Sequence, residues 1–368
     1  MKIRVLHILD SLDLGGAQVV VENLVRHADR TRFEVEVATL HGRGVFWERI
    51  ARLGVRVHSL SPAKALPIYF PRLLWIFATR QFDVVHCHLL GANVIAKPLA
   101  ALCGVRVRIN HDHCNDKSTL PAFARRLDRW TNRLSTHVVA VSESTREYLL
   151  QHEGLAAERV TTVLNGISLD TYQPRPELRA EIRQQLGIPS DAFVVGGIGR
   201  LVFQKNFALF LDTASQIAQR HPRAVFVIAG TGPDETDLRA QAARLALPVH
   251  FLGFVADTSR LYPALDCLLL TSRFEGLPIT ILEAMACRVP IVASDLDGMR
   301  EVLRDGETAA LVAPGEPAPY AERVSDFITR PATARAMAEA ALALVRAKYS
   351  AEAMTRAVEA IYLQNIGA

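Results

Sequence analysis

Short β-branched and aliphatic runs alternate with longer stretches whose apolar positions recur every three to four residues, from one end of the chain to the other. The short runs read as strands: RVLHI (4–8), EVEVATL (34–40), RVHSL (56–60), DVVHCH (83–88), VRVRIN (105–110), HVVAVS (137–142) and VTTVL (160–164) in the first half. FVVGGIG (193–199), AVFVIAG (224–230), VHFLG (249–253), CLLLTS (267–272), PIVAS (290–294) and AALV (309–312) follow in the second. The stretches between them have the period of amphipathic helices. Strands separated by helices throughout predict an α/β fold of parallel sheets covered on both faces.

At 368 residues the chain exceeds what one core usually serves, so two domains are expected. YQPRPELRAEIRQQLGIPSD (172–191), polar and proline-rich, reads as the link between them with a short helix inside it. That places one domain at 1–178 and the other at 190–345. The tail from Ser350 sets Met354, Val358, Ile361 and Tyr362 on one face, the pattern of a closing helix over about 350–368 that packs back on a neighbour, the first domain included.

Composition narrows the class. Half the residues are apolar and 22% are charged, which suits buried globular domains and excludes a disordered or collagen-like chain. The opening MKIRVLHILD is too short and too polar for a secretory core or a membrane span. Five scattered cysteines without CxxC spacing argue against a disulfide framework. A cytoplasmic protein is expected, with peripheral contact on the inner face of a membrane left open. Residues 1–180 carry 24 Lys and Arg against 17 Asp and Glu, and residues 181–368 carry 18 against 21. A basic half suits an anionic partner, but its bases lack the interleaved aromatics of an RNA-binding sheet, so no nucleic acid is expected.

In open parallel sheets, ligands settle past the carboxyl ends of the strands. Those positions hold Gly15 and Gly16, His86 and His88, His111 and His113, Arg200, Gly230 and Gly232, and Glu275, which would line one cleft if the two sheets faced each other. In RFEGLPITILEAMA (273–286), Pro278 suits the first helical position and Gly276 lies just before the helix. The free N–H groups and dipole of such a helix start favour a phosphate. Glu275 lies outside that start, and Glu283 about five residues in, roughly 7 to 8 Å along the axis. Both can accept hydrogen bonds from hydroxyl groups on either side of the anion, and a ligand with a diphosphate between two polyols is a nucleotide sugar. In GIGRLVFQKN (197–206), Arg200 supplies a bidentate fork and Lys205 a point charge, both suited to a pyrophosphate. Taken singly, each has a plain reading: a helix-start carboxylate, a surface glutamate, an arginine paired with a nearby acid, a solvated lysine.

Over essentially its whole length the chain resembles the retaining glycosyltransferases of family 4. The resemblance rests on GGAQ (15–18), HDHCND (111–116), VSES (141–144), LNGISLD (164–170), GRLVFQKN (199–206), AGTGP (229–233), LGFV (252–255) and EGLPITILEAMA (275–286), the last with E-x7-E spacing. It implies the GT-B fold, two Rossmann-like domains with parallel sheets facing a central cleft. It also implies transfer of a hexose or N-acetylhexosamine from a nucleotide-sugar donor, UDP foremost, to a hydroxyl of a lipid-linked or cell-envelope glycan acceptor. By the same resemblance His113, Glu275, Arg200 and Lys205 carry the catalysis. Arg200 and Lys205 hold the donor diphosphate, Glu283 the ribose and Glu275 the sugar hydroxyls. Gly276, Leu277 and Pro278 adjoin the phosphates, Gly15 and Gly16 form a loop closing over them, Val255 lies near the nucleobase, and His113 is favoured over His111 at the hexose. Gln204 and Asn206 stand where Glu and Gly are more usual, and DGMRE (297–301) where a Gly-Gly or Gly-Pro turn often stands, which leaves those loop geometries open.

Four imidazoles and two thiols in HCH (86–88) and HDHC (111–114) have the donor chemistry for zinc. They lack the usual ligand spacing, and the resemblance implies no metal for the chemistry, so no metal or cofactor is expected. His86, His88, His111 and Asn165 are the acceptor-side candidates. Two stretches mix apolar aromatics with arginines, ALPIYFPRLLWIFATRQ (65–81) with Arg72 and Arg80, and ARRLDRWTNR (124–133) with Arg125, Arg126, Arg129 and Arg133. They suit an anionic membrane surface and equally an ordinary core-facing helix and solvated basic face. A non-hydrolysing sugar-nucleotide epimerase and a non-catalytic sugar-nucleotide-binding protein would use the same pocket. A dehydrogenase is disfavoured because LDLGGAQ has no GxGxxG.

Overall fold

The computed structural model describes residues 2–13, 15–113, 117 and 120–367, apart from the side chain of Leu66. The chain divides into two compact units, Met1–Gly166 with Ala351–Ala368, and Ile167–Ser350. In the first, strands β1 (Ile3–Leu9), β2 (Phe33–Thr39), β3 (Arg56–Ser59), β4 (Val84–His88), β5 (Val107–Asp112), β6 (His137–Ala140) and β7 (Val160–Thr162) form a parallel sheet in the order β3-β2-β1-β4-β5-β6-β7. In the second, β8 (Phe193–Ile198), β9 (Ala224–Ala229), β10 (Val249–Gly253), β11 (Cys267–Leu270), β12 (Ile291–Ser294) and β13 (Ala310–Val312) run β10-β9-β8-β11-β12-β13, again parallel. Each winding turns first to one side of its opening strand and then to the other. The switch points therefore fall between β1 and β4 and between β8 and β11.

The helices of the first unit are α1 (Gly16–Arg26), α2 (Trp47–Ala51), α3 (Leu66–Arg80), α4 (Leu90–Leu102), α5 (Ala122–Asn132) and α6 (Glu143–Glu153). Those of the second are α7 (Arg179–Gln185), α8 (Phe207–Arg220), α9 (Glu235–Arg244), α10 (Ile279–Ala286), α11 (Asp297–Arg300), α12 (Pro317–Thr329) and α13 (Pro331–Lys348), and α14 (Ala351–Gly367) returns to the first. No helix among the described residues is long and apolar enough to cross a membrane.

Alternation along the central strands decides which residues reach chemistry. Leu6 and Ile8 of β1 and Val85 and Cys87 of β4 join Phe77 of α3 and Leu99 of α4 in one apolar cluster. His7, His86 and His88 occupy the alternate positions and so project from the opposite face. Helix α14 packs on α1, β5 and β6 with Met354, Val358, Ile361 and Tyr362 buried, and the Tyr362 hydroxyl lies 2.5 Å from His86 Nδ1. In the second unit Val195, Phe210, Phe226, Leu269 and Tyr320 belong to one core.

Two sequence expectations shift. β5 begins two residues later than VRVRIN, because Val105 closes the turn after α4 through its N–H to Ala100 O (2.9 Å), while His111 and Asp112 pair with His88 and Ala140. His111 therefore lies inside the strand. The stretch 172–191, expected as a link, belongs to the second unit. Arg179 and Arg183 both grip Asp266, and Arg183 also donates to the carbonyls of Ala264 and Ala192.

At the ends of β8 and β9 two glycines let the backbones cross. Gly199 and Gly230 have φ of 155° and 146°, and a Cβ on Gly230 would lie 1.8 Å from the Gly199 carbonyl oxygen. Gly230→Ala is expected to lower the unfolding free energy by about 3 kcal/mol in urea denaturation. A loss below about 0.5 kcal/mol would show that the crossing opens freely.

Candidate active site

At the switch point of the second sheet, the loop after β8 and the loop after β11 are tied together. Arg273 N–H donates to Gln204 O at 2.8 Å, and the Gln204 amide donates to Phe274 O at 3.0 Å. The knot encloses Glu275, only 5% exposed. Its Oε1 accepts from Lys205 Nζ (2.6 Å) and Ser272 Oγ (2.7 Å), and its Oε2 from Gln204 Nε2 (3.2 Å). A carboxylate withdrawn from water is costly unless paired and hydrogen-bonded, and one cation with two neutral donors offsets that cost here. Lys205 and Glu275, assigned to different parts of a donor from sequence, thus form one ion pair. Arg200 is exposed and forms no ion pair among the described residues, which leaves its guanidinium available to an anion.

The two departures in GRLVFQKN acquire reasons. The Gln204 side chain donates to Glu275 without adding a second negative charge beside it. Asn206 precedes α8 with φ 51° and ψ 49°, a left-handed conformation that asparagine tolerates best after glycine, and its Oδ1 accepts from Arg273 Nη2 at 3.1 Å. In DGMRE, Gly298 is the residue the geometry requires, since a Cβ there would lie 1.7 Å from Gly276 O.

Pro278 takes the N-cap of α10, with ψ 126°, and the helix begins at Ile279. This is one residue later than expected, because the extended ψ at Pro278 keeps it outside the helix. Gly276, Leu277 and Pro278 are buried beside that start. Glu283 is buried as well, not on the helix surface, and its Oε2 accepts from the Tyr262 hydroxyl (2.7 Å) and Thr258 Oγ1 (3.3 Å). Burial and the Glu283 carboxylate push the Tyr262 hydroxyl well above its usual pKa, so it stays a donor. Tyr172 hydrogen-bonds to Thr258 Oγ1 at 3.0 Å and backs this arrangement. Val255 is half-buried in the loop after β10. Sequence reasoning missed Tyr262, Thr258 and Ser272; of these, Ser272 alone had a signal, its place three residues before Glu275.

In the first unit Gly15 is the N-cap of α1 and Gly16 its first residue. Parallel register sets His7 beside His86 and His88 beside His111, with His113 just past β5, so five imidazoles share one sheet face. His7, absent from the sequence-level candidates, was legible from its place on the first strand opposite DVVHCH. His7 Nδ1 lies 3.1 Å from His88 Nε2, and His88 Nδ1 lies 3.1 Å from His113 Nε2. Rings stack at 4.3 Å (His86 and His88) and 4.5 Å (His111 and His113). Burial lowers the pKa of His7 to about 3 and of His113 to about 4, and those of His86, His88 and His111 fall well below the ordinary value, with neighbouring imidazoles adding to the effect. Asn165 is buried near the end of this unit. Cys114, Asn115 and Asp116 of HDHCND lie outside the described residues.

Two wound parallel sheets, each with its own switch point, define the fold class, and comparison with known proteins identifies the family. Residues 14–171 match the family described as Glycosyltransferase Family 4, and residues 179–343 the one described as Glycosyl transferases group 1. A protein of Bacillus subtilis assigned to the glycosyltransferases, EpsF, is 30% identical over 303 residues, 79% of each chain. The lipopolysaccharide core biosynthesis mannosyltransferase LpcC of Rhizobium leguminosarum is 28% identical over 344 residues, 86% of this chain and 90% of that one. The crystal structure of Anabaena HepE in complex with UDP-glucose superposes with a TM-score of 0.90 at 23% identity, over 98% of this chain and 100% of that one. The chain belongs to the GT-B glycosyltransferases.

The histidine cluster has a measurable consequence. Each imidazole whose folded pKa is depressed leaves the unfolded chain holding more protons, from pH 6.5 down to the folded value. Unfolding free energy is therefore expected to fall as pH drops below about 6.5, by about 1.4 kcal/mol per pH unit for each such histidine. Urea unfolding between about pH 6.5 and 5.5, above the carboxylate range, reads the slope. A flat profile there would mean the rings are solvated.

Proposed function

We propose that this glycosyltransferase moves a hexose or N-acetylhexosamine from a UDP-sugar, with retention at the anomeric carbon, to a hydroxyl of a lipid-linked or cell-envelope glycan. The observation that carries the donor half is the buried knot of Lys205, Ser272, Gln204 and Glu275 immediately before the N-terminus of α10, with Glu283 held by Tyr262 eight positions on. Backbone N–H groups at a helix start suit the diphosphate, with Arg200 and Lys205 balancing its charge as it departs. Glu275 then turns to the sugar hydroxyls and Glu283 to the ribose. With a leaving group so stabilised, positioning of the acceptor supplies much of the rest, and no protein nucleophile is required. The UDP-glucose in the HepE complex and the mannosyltransferase name of LpcC support a nucleotide-hexose donor.

The acceptor half rests on α5. Phe123 (76% exposed) and Trp130 (54% exposed) share a helical face with Arg126 and Arg133, also exposed, which is an aromatic and basic surface suited to anionic lipid. Helix α3 adds Phe70 and Trp75, both exposed. Of its arginines, Arg80 pairs with the buried Glu36, while Arg72 is exposed and donates to Leu60 O.

Assay with a panel of UDP-, GDP-, ADP- and dTDP-sugars tests the donor. Arg200→Ala and Lys205→Ala are each expected to lower kcat by about 100-fold. Glu275→Gln should impair transfer while free UDP binds as well as before or tighter, since Lys205 loses its internal partner. Collapse of UDP affinity in Glu275→Gln would overturn that division of roles.

Vesicles containing phosphatidylglycerol should co-sediment the protein at low salt and release it at moderate salt, with Trp130→Ser and Arg126→Ser weakening the association. No sedimentation at either salt would point to an acceptor free in solution.

A further inference from the structure

Glycosyl transfer gives a role to His113 but none that explains five imidazoles stacked on one face. We propose that His88, His111 and His113 form a binding site for one transition-metal ion that favours imidazole, zinc foremost. The ring nitrogens of these three residues all lie within 4.8 Å of one another. Tetrahedral zinc with bonds of about 2.0 Å needs ligand atoms about 3.3 Å apart, and His88 Nδ1 and His113 Nε2 are already 3.1 Å apart. His111 supplies the third ligand. It is 1% exposed, and both of its ring nitrogens are buried without a hydrogen-bond partner among the described residues, an arrangement that an apolar side chain of similar size would avoid.

Orientation comes from a second layer. The contact between His7 Nδ1 and His88 Nε2 (3.1 Å) engages one nitrogen of His88 and leaves the other directed at His113. A hydrogen bond of this kind fixes the tautomer and ring plane of a ligating histidine. His86 stacks on His88 (4.3 Å) and His111 (5.2 Å), and its Nδ1 is already engaged by the Tyr362 hydroxyl at 2.5 Å. The ligand set contains no carboxylate, which disfavours calcium and magnesium and suits zinc, copper or nickel. On binding, the ion replaces the proton shared by His88 and His113, and that proton moves to another ring nitrogen of the cluster, so none need be released. His113 is half-buried, which leaves a fourth position for an exogenous ligand.

The 368-residue chain, stripped with EDTA, would be titrated with ZnCl2 against a chromophoric chelator and separately with CoCl2 for the visible absorption of tetrahedral cobalt. One equivalent and that absorption are expected. His111→Gln, whose ring gives up no hydrogen bond, should weaken zinc binding by about tenfold or more with an unchanged far-UV circular dichroism spectrum. His88→Gln should do the same, and His113→Gln stands in should either variant fail to fold. Failure of the unaltered chain to bind zinc, or affinity unchanged in these variants, would overturn the proposal.

Discussion

Parallel pairing is the constraint from which the rest follows. Every strand of both sheets runs the same way as its neighbours, so each connection must cross back over a face, and the loops that can carry function gather at the carboxyl edge. Where the winding reverses, two neighbouring strands send their loops in opposite directions, and a crevice opens without any side chain being removed from the core. The second unit fills that position with GRLVFQKN and RFEG, the first with HCH and the end of RVLHIL. Glycine serves this architecture where the backbones themselves meet, as at Gly199 with Gly230 and at Gly298 with Gly276.

Burial of Glu275 links fold to chemistry. The residues that compensate its charge also join the two loops, so the site cannot loosen on one side without exposing or unpairing a carboxylate. A diphosphate arriving at the helix start would compete with Glu275 for Lys205, and the carboxylate released from that pair would become a stronger acceptor for hydroxyl groups. In the proposed function, binding of the anion and the grip on the sugar would be coupled by one shared cation, Lys205.

Much of this was legible in the chain. The strands were readable because β-branched runs bounded by Gly, Pro or Asp leave little ambiguity, and the face of the closing helix because Met354, Val358, Ile361 and Tyr362 keep a helical period. Element ends were less so: the start of β5 depends on a turn hydrogen bond from Val105, and the cap at Pro278 on a ψ angle, neither of which a pattern encodes. The stretch 172–191 looked like a link since its polarity and prolines are those of a linker, yet Arg179 and Arg183 anchor it through one distant acid, Asp266. Tyr262 was illegible for the same reason, because its partner Glu283 lies 21 positions away.

The two units answer the same problem, polar groups buried at a strand edge, in opposite ways. The second keeps charges and pairs them, Lys205 with Glu275. The first removes the charge: burial holds its imidazoles neutral, and they satisfy one another in part through nitrogen-to-nitrogen contacts. A row of neutral rings offers lone pairs in place of charge. Helix α14 contributes to that difference, because Tyr362 lies edge-on against His86 and gives it a hydrogen-bond partner. Without the returning helix, water would reach the rings and the desolvation that holds them neutral would be lost.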